Sequence, residues 1–236
     1  MSEVTESMER PESEAARVPA VLPVLPLNDV VIYPYMMMPL AIAEPASVRL
    51  IDSVVNGDKM LALFARQPAT GEQPSGMYEI GTAAGVLRML KMPDGSVQVL
   101  LQGFARIRRG QIVQTEPYQQ AEVEVLHEEV ATGVEVEALT RNVVETFRKI
   151  VALAPNASDE LAITVLNLTD PAKLADFIAA NTNISFPERQ DLLETIDVRE
   201  RLEKLMRFLN RELEILELGN RIQSQMKEQV SKRERE

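Results

Sequence analysis

His127 is the single histidine of the sequence, and it stands beside Glu128 and Glu129. Any Ser-His-Asp relay or Cys-His pair would have to be built on it, and the chain has no cysteine to act as a nucleophile. Zinc sites draw on several His or Cys ligands, so no metal site is expected. Disulfides are excluded for the same reason. His127 is therefore read as a surface residue at the end of a strand. With 36 Asp and Glu residues in the chain, neighbouring carboxylates such as Glu128-Glu129 or Glu122-Glu124 say nothing specific about acid-base catalysis.

Gly71-Glu-Gln-Pro-Ser-Gly76 has the glycine spacing of a phosphate-binding loop, but Met77 and Tyr78 follow where a Lys and a hydroxyl residue are required. The segment reads as a loop. Gly81-Thr-Ala-Ala-Gly85 matches a small-residue membrane motif in form only. Its strand-like context points to close backbone packing instead. Arg106-Ile-Arg-Arg109 is the densest basic stretch. It could hold an anion, but it is too short for a nucleic-acid surface in a chain of net charge −11. A solvated strand face is the expectation for it.

The segment that stands out is Tyr33-Pro-Tyr-Met-Met-Met-Pro-Leu40. Two prolines bracket aromatic and thioether side chains. Proline breaks a hydrogen-bonded ladder and favours an exposed, extended loop. Methionine is flexible and polarizable, and suits surfaces that accept varied apolar partners. Core filling is the other reading, and alternation would then bury about half of the methionines.

These residues need elements to hold them. Residues 21–128 read as a β-rich region. Val21 to Pro26 suits an edge strand because of Pro23 and Pro26. Glu44 to Asn56 has helical apolar spacing, with Pro45 at its start and Gly57 at its end. Lys59–Ala65 reads as a buried strand. Ile80 to Lys91 and Ser96 to Leu101 form a hairpin about Pro93-Asp94-Gly95. Gly103 and Gly110 are expected to punctuate further strands, and Gln120 to Leu126 alternates with one wet face.

From residue 133 the period becomes helical. Helices are expected at Val134–Leu153, Ser158–Leu168 and Asp170–Ala180, then after the capping box Ser185-Phe-Pro-Glu188, and finally from Val198. Residues 133–196 form a helical bundle in this reading, and residues 197–236 a long helix. Leu202, Leu205, Leu209, Leu213 and Leu216 are spaced as a coiled-coil seam. The seam either drives self-association or packs on the preceding helices. Residues 1–20 read as a disordered acidic tail without signal-peptide shape. No apolar run approaches the roughly 18 residues of a membrane span, and a cytoplasmic location is the default. The fold class is α+β: a β-barrel-like (pseudo-barrel) subdomain, a helical bundle and a long C-terminal helix.

Leu22-Pro-Val-Leu-Pro-Leu-Asn-Asp-Val-Val-Ile-Tyr-Pro34 followed by Met36-Met-Met-Pro-Leu40 resembles the opening of the N-terminal domain of Lon ATP-dependent proteases. Gly81-Thr-Ala-Ala84, Leu90-Lys-Met-Pro-Asp-Gly95 and Val99-Leu-Leu-Gln-Gly-Phe-Ala-Arg106 resemble the next strands. Asp170–Asp176, Asp191–Leu202 and Glu212–Leu218 resemble the helical part. The resemblance implies a region that captures unfolded, misfolded or degron-tagged proteins and helps organise a ring of six identical subunits. It places the ATP- and Mg-dependent motor and the Ser-Lys protease dyad downstream, so no cofactor and no catalytic residue is expected here. Tyr33, Tyr35, Met36, Met37, Met38 and Leu40 are then the candidate substrate contacts, sharing the role unequally. Neither nucleic acid nor membrane is an expected partner. The alternatives are a structural oligomerisation scaffold, a free-standing Lon-domain binding module, and an enzyme on a β-barrel scaffold, against which the lone histidine speaks.

Overall fold

The computed structural model describes residues 17–69, 76–128 and 132–233. The acidic start up to residue 16, the Gly71–Ser75 part of the glycine-spaced loop, and Glu129 lie outside the described residues. The chain divides into two compact units. The first comprises residues up to His127 together with Arg189–Ile196, and the second comprises Glu128–Glu188 and Asp197 onward.

The first unit contains β1 (Val21–Leu27), β2 (Met37–Ile42), α1 (Pro45–Asn56), β3 (Met60–Ala65), β4 (Ile80–Lys91), β5 (Val97–Gln114) and β6 (Gln120–Val125). The strands pair in the order β2-β5-β4-β3-β1-β6, and β6 also pairs with β5. Five strands thus close a ring, which is the barrel-like subdomain expected from the sequence. Closure depends on the length of β5. Its first part, Val97–Gln102, pairs with β2, and its last part, Ile107–Gln114, pairs with β6. Gly103 and Gly110 do not end strands as expected. They lie inside β5 beside register shifts, where a bulge bends one long strand around the ring. A Cβ on Gly103 would collide with the Tyr33 carbonyl, so glycine is what permits that approach.

β1 is not the edge strand its prolines suggest. It runs antiparallel to β6 over Val21–Pro23 and parallel to β3 over Val24–Leu27. The Val24 N–H donates to the Gln119 carbonyl at 2.8 Å. Backbone direction alternates along a strand, so the Pro26 nitrogen faces that same side, past the end of the β6 ladder. Neither proline removes a donor that a neighbour requires.

The ring is filled by two apolar clusters. Leu25, Ile51, Leu61, Val99 and Leu101 belong to one, onto which α1 packs Leu50 and Val54. Leu22, Val24, Phe64 and Ile107 belong to the other. Gly81 and Gly85 sit against Phe64 and Phe104, leaving no room for a Cβ. That is the close packing read from the Gly-Thr-Ala-Ala-Gly segment.

Residues 189–196, grouped with the helical bundle in the sequence reading, cluster with this first unit. Gln190 Nε2 donates to the Ile80 carbonyl at 3.1 Å, and the buried Arg106 Nε donates to the Leu193 carbonyl at 3.0 Å. Arg106 is only 2% exposed, so the expected solvated basic face does not include it.

The second unit contains α2 (Val134–Leu153), α3 (Asp159–Asn167), α4 (Pro171–Ala180), the start of α5 (Phe186–Glu194) and α6 (Val198–Arg233). Side chains cap three of its helix starts, those at Asp170 and Asp197 as the sequence predicts. Ser158 accepts from Glu160 N–H, Asp170 from Ala172 N–H and Asp197 from Glu200 N–H. Leu202, Leu205 and Leu209 of α6 are buried, and α6 packs chiefly on α2 and then α4. The Arg201 guanidinium is buried among them and bonds Asp176 at 3.3 Å and Glu128. Two carboxylates compensate one buried cation, as burial of charge demands.

Candidate functional site

The Tyr33–Leu40 segment divides its side chains between core and solvent. Residues up to Met36 form a tight turn and the rest enter β2, so the segment is not simply the exposed loop that its prolines suggest. Tyr33 is fully buried, and its hydroxyl donates to the Arg189 carbonyl at 2.8 Å. It can present no surface to a partner, which corrects its place among the candidate contacts. Tyr35 has φ 64, a left-handed conformation that costs a bulky residue on the order of 1–3 kcal/mol. Two hydrogen bonds with Gly103 hold it there. Tyr35 N–H donates to the Gly103 carbonyl, and Gly103 N–H donates to the Met36 carbonyl, each at 2.9 Å. The turn leaves Tyr35 partly in solvent.

Beyond the turn, strand alternation governs. Met36, Met38 and Leu40 are half-buried and pack against the core. Met37, Pro39 and Ala41 point outward. Met37 is 59% exposed. β2 pairs only with β5 among the described strands, so no described strand pairs with its other edge and Pro39 is tolerated there.

The register carries this outward row across two further strands. Met37, Pro39 and Ala41 lie opposite Gln102, Leu100 and Gln98 of β5. Gln98 and Leu100 in turn lie opposite Leu90 and Arg88 of β4. Leu90 is 58% exposed. Leu87 falls at the register shift between Val86 and Arg88, and the bulge turns it outward as well. The outer face of β2-β5-β4 thus joins Met37, Pro39, Leu100, Leu90 and Leu87 in one mixed apolar surface. Sequence reasoning found its β2 part and missed Leu87, Leu90 and Leu100, because cross-strand register brings them together. The one local signal was Leu90 at an outward position beside the Pro-Asp-Gly turn.

On α6 the predicted seam is largely internal. Leu202, Leu205 and Leu209 have no accessible surface left for a second chain, and Leu213 and Leu216 are half-buried. The accessible apolar positions are Ile215, Leu218, Ile222 and Met226, spaced on one helical stripe. They were not in the predicted seam.

The basic stretch is dispersed. Arg108 is exposed and pairs with Glu124 at 3.0 Å. Arg109 is half-buried and reaches a cleft of about 460 Å³ that Arg66 also lines. His127 is exposed. Among the described residues no group of three or more His, Cys, Asp or Glu is placed to hold a metal ion, and no helix is long and apolar enough to cross a membrane.

A ring-closed mixed sheet with an apolar edge strand, and a helical unit ending in a long helix, define a class of domain known from solved structures. The N-terminal domain of a Mycobacterium avium complex Lon protease superposes with a TM-score of 0.68 at 26% identity, covering 80% of this chain and 98% of that one. A Lon N-terminal domain protein from Xanthomonas campestris shares the fold at a TM-score of 0.58. The chain belongs to the Lon family: residues 21–211 match the model of the ATP-dependent protease La (LON) substrate-binding domain. Lon proteases of Dictyoglomus thermophilum and Roseiflexus castenholzii are 41% and 42% identical over 97% and 96% of this chain. The chain spans 29% and 28% of their lengths.

Proposed function

We propose that this chain captures polypeptide substrates for a Lon-type ATP-dependent protease through the outer face of β2-β5-β4, recognising apolar segments of unfolded or degron-bearing proteins. The supporting observation is the exposure of Met37, Leu87 and Leu90 on one face bordered by a strand edge with which no described strand pairs, in a chain that matches a substrate-binding domain. Unfolded proteins display apolar side chains on extended backbone. An extended segment can add to the β2 edge by main-chain hydrogen bonds while its side chains rest on the apolar face. Burial contributes about 25 cal/mol per Å² of apolar area, so a shallow patch gives weak, reversible capture. Repetition around an oligomer would raise avidity without tight single sites. In this reading ATP hydrolysis and peptide cleavage belong to other domains, and this chain uses no cofactor.

The test is binding of one labelled model substrate in native and unfolded forms. Selective binding of the unfolded form, weakened about tenfold or more by Met37→Ser with Leu90→Ser, is the expected result. Equal binding of both forms, or no effect of the substitutions, would overturn it.

A second reading has its own observation. The exposed stripe Ile215, Leu218, Ile222 and Met226 suits helix pairing between subunits, so the chain would also serve assembly. Light scattering on the Ile222→Ser, Met226→Ser variant checks this role, with a shift toward monomer as the expected outcome.

A further inference from the structure

We infer that the cleft between α1 and the ends of β3 and β5 is a binding site for a carboxylate of a polypeptide, either a chain-terminal carboxylate or an acidic side chain. It lies wholly within the first unit and is lined by Arg66, Arg109, Glu44 and Gln119, with Val24 and Leu50 among its apolar residues.

The cations of this cleft are under-partnered. Among the described residues Arg66 faces only Glu44, at 3.9 Å, and that carboxylate is itself largely exposed. The Arg109 side chain gives one hydrogen bond among the described residues, to the neutral Met77 carbonyl at 3.3 Å. A guanidinium has five N–H donors. The Nε atoms of both arginines are buried without an acceptor among the described residues, and so is Oε1 of Gln119 without a donor. Buried polar groups in folded proteins are normally satisfied. Two in one wall, both donors attached to cations, mark a place where an oxyanion is missing. Paired guanidinium groups are also the usual partners of carboxylate and phosphate oxygens.

Charge and shape favour a carboxylate. Glu44 lines the same cleft, so among the described residues two cations face one anion. The remaining single positive charge matches a monoanion and disfavours a doubly charged phosphate. The cleft volume of about 460 Å³ lies within the usual range for small ligands. Its apolar lining suits the side chain next to a carboxylate, and the unpartnered Gln119 oxygen suits a peptide N–H. This inference rests on the proposed function only in taking the ligand from a polypeptide. It uses none of the residues of the β2-β5-β4 face.

The test uses the 236-residue chain and a fluorescent pentapeptide with a free carboxylate at its end, its C-terminal amide, and a third peptide amidated at its end but carrying one glutamate. Fluorescence polarisation should show the acid at least tenfold tighter than the amide. Recovery of binding by the glutamate peptide would show that the site takes a side-chain carboxylate as well, and its absence that it takes a chain-terminal one alone. Arg66→Gln and Arg109→Gln should each weaken binding about tenfold, while Arg108→Gln, outside the cleft, should not. Glu44→Gln should tighten it, which keeps the test decisive if an arginine variant fails to fold. Equal binding of all three peptides, or indifference to Glu44→Gln and the arginine substitutions, would overturn the site. Inorganic phosphate competing as well as acetate would overturn the assignment to carboxylate. Met37→Ser should leave acid-over-amide discrimination intact, so failure here is distinct from failure at the β2 face.

Discussion

The Tyr33 hydroxyl and the Arg189 carbonyl, 156 residues apart in sequence, are joined by a 2.8 Å hydrogen bond inside the first unit. With the Arg106–Leu193 and Gln190–Ile80 bonds it fixes a late helical segment to the strand ring. The first unit is therefore complete only when chain from beyond the second unit's first helices has returned to it. The same tyrosine begins the turn that sets Tyr35 and Met37 outward, so the segment that closes the unit also supports the apolar face.

Removing that hydroxyl leaves the Arg189 carbonyl without this donor. Tyr33→Phe should lower stability by about 1 kcal/mol, the usual worth of a neutral hydrogen bond. Arg106→Leu should cost more, because a charged donor is lost, about 1.5–3 kcal/mol. Urea unfolding followed by circular dichroism measures both. Equal and negligible effects would show that residues 189–196 are not held as described.

Local signals in the sequence were sufficient for most elements. Ser185 and Glu188 form the reciprocal cap their spacing predicts, and Gly95 takes the positive φ its turn needs. Such features depend on residues within a few positions of each other. Pairing partners were not legible. Pro23 and Pro26 suggest an edge, yet β1 has neighbours on both sides because each proline nitrogen points past a ladder end. Gly103 and Gly110 read as strand ends, yet they permit bends within β5. The site was half legible for the same reason. Met37 is found by composition, while Leu87, Leu90 and Leu100 join it only through register, and Arg66 and Arg109 come to line one cleft only through the folded ring.

Met37 and Met38 are neighbours with opposite environments, so they separate surface from core roles. Met37→Asp should change stability by no more than about 0.5 kcal/mol, as expected for an exposed position, and should reduce binding of unfolded protein. Met38→Asp places a charge against the apolar cluster and should destabilise the first unit by several kcal/mol. Thermal unfolding and substrate binding on the same two samples make the comparison. Loss of binding in Met38→Asp alone would move the contact surface away from the outer face.

The two apolar stripes of α6 should also behave differently. Leu205 is fully buried and Ile222 is 49% exposed. Leu205→Ala should cost about 2–5 kcal/mol through the cavity it leaves, whereas Ile222→Ala should stay within about 0.5 kcal/mol. Similar costs at both positions, measured by denaturant titration at low protein concentration, would contradict the division between an internal seam and an outer stripe.

Arg211 links α6 to the start of α5. Its Nη1 and Nη2 reach the two carboxylate oxygens of Glu188 at 2.6 and 2.8 Å, while its guanidinium stands 5.8 Å from the centre of the Phe208 ring. The hydrogen bonds from Arg211, chiefly, hold the Glu188 carboxyl down to about 2 from its ordinary 4.5. Because the folded value lies below the unfolded one, the contribution to stability is present in full above about pH 4.5 and fades as pH falls toward 2. Glu188→Gln removes this dependence. The wild-type chain should therefore lose stability relative to Glu188→Gln as pH is lowered through that window, and the difference between them should be flat from pH 5 to 8. Salt should reduce the difference, since Arg211 lies at the surface. Denaturant midpoints of the two proteins at a series of pH values give the comparison. Parallel curves between pH 4.5 and 2 would mean that Glu188 and Arg211 do not pair in the folded chain.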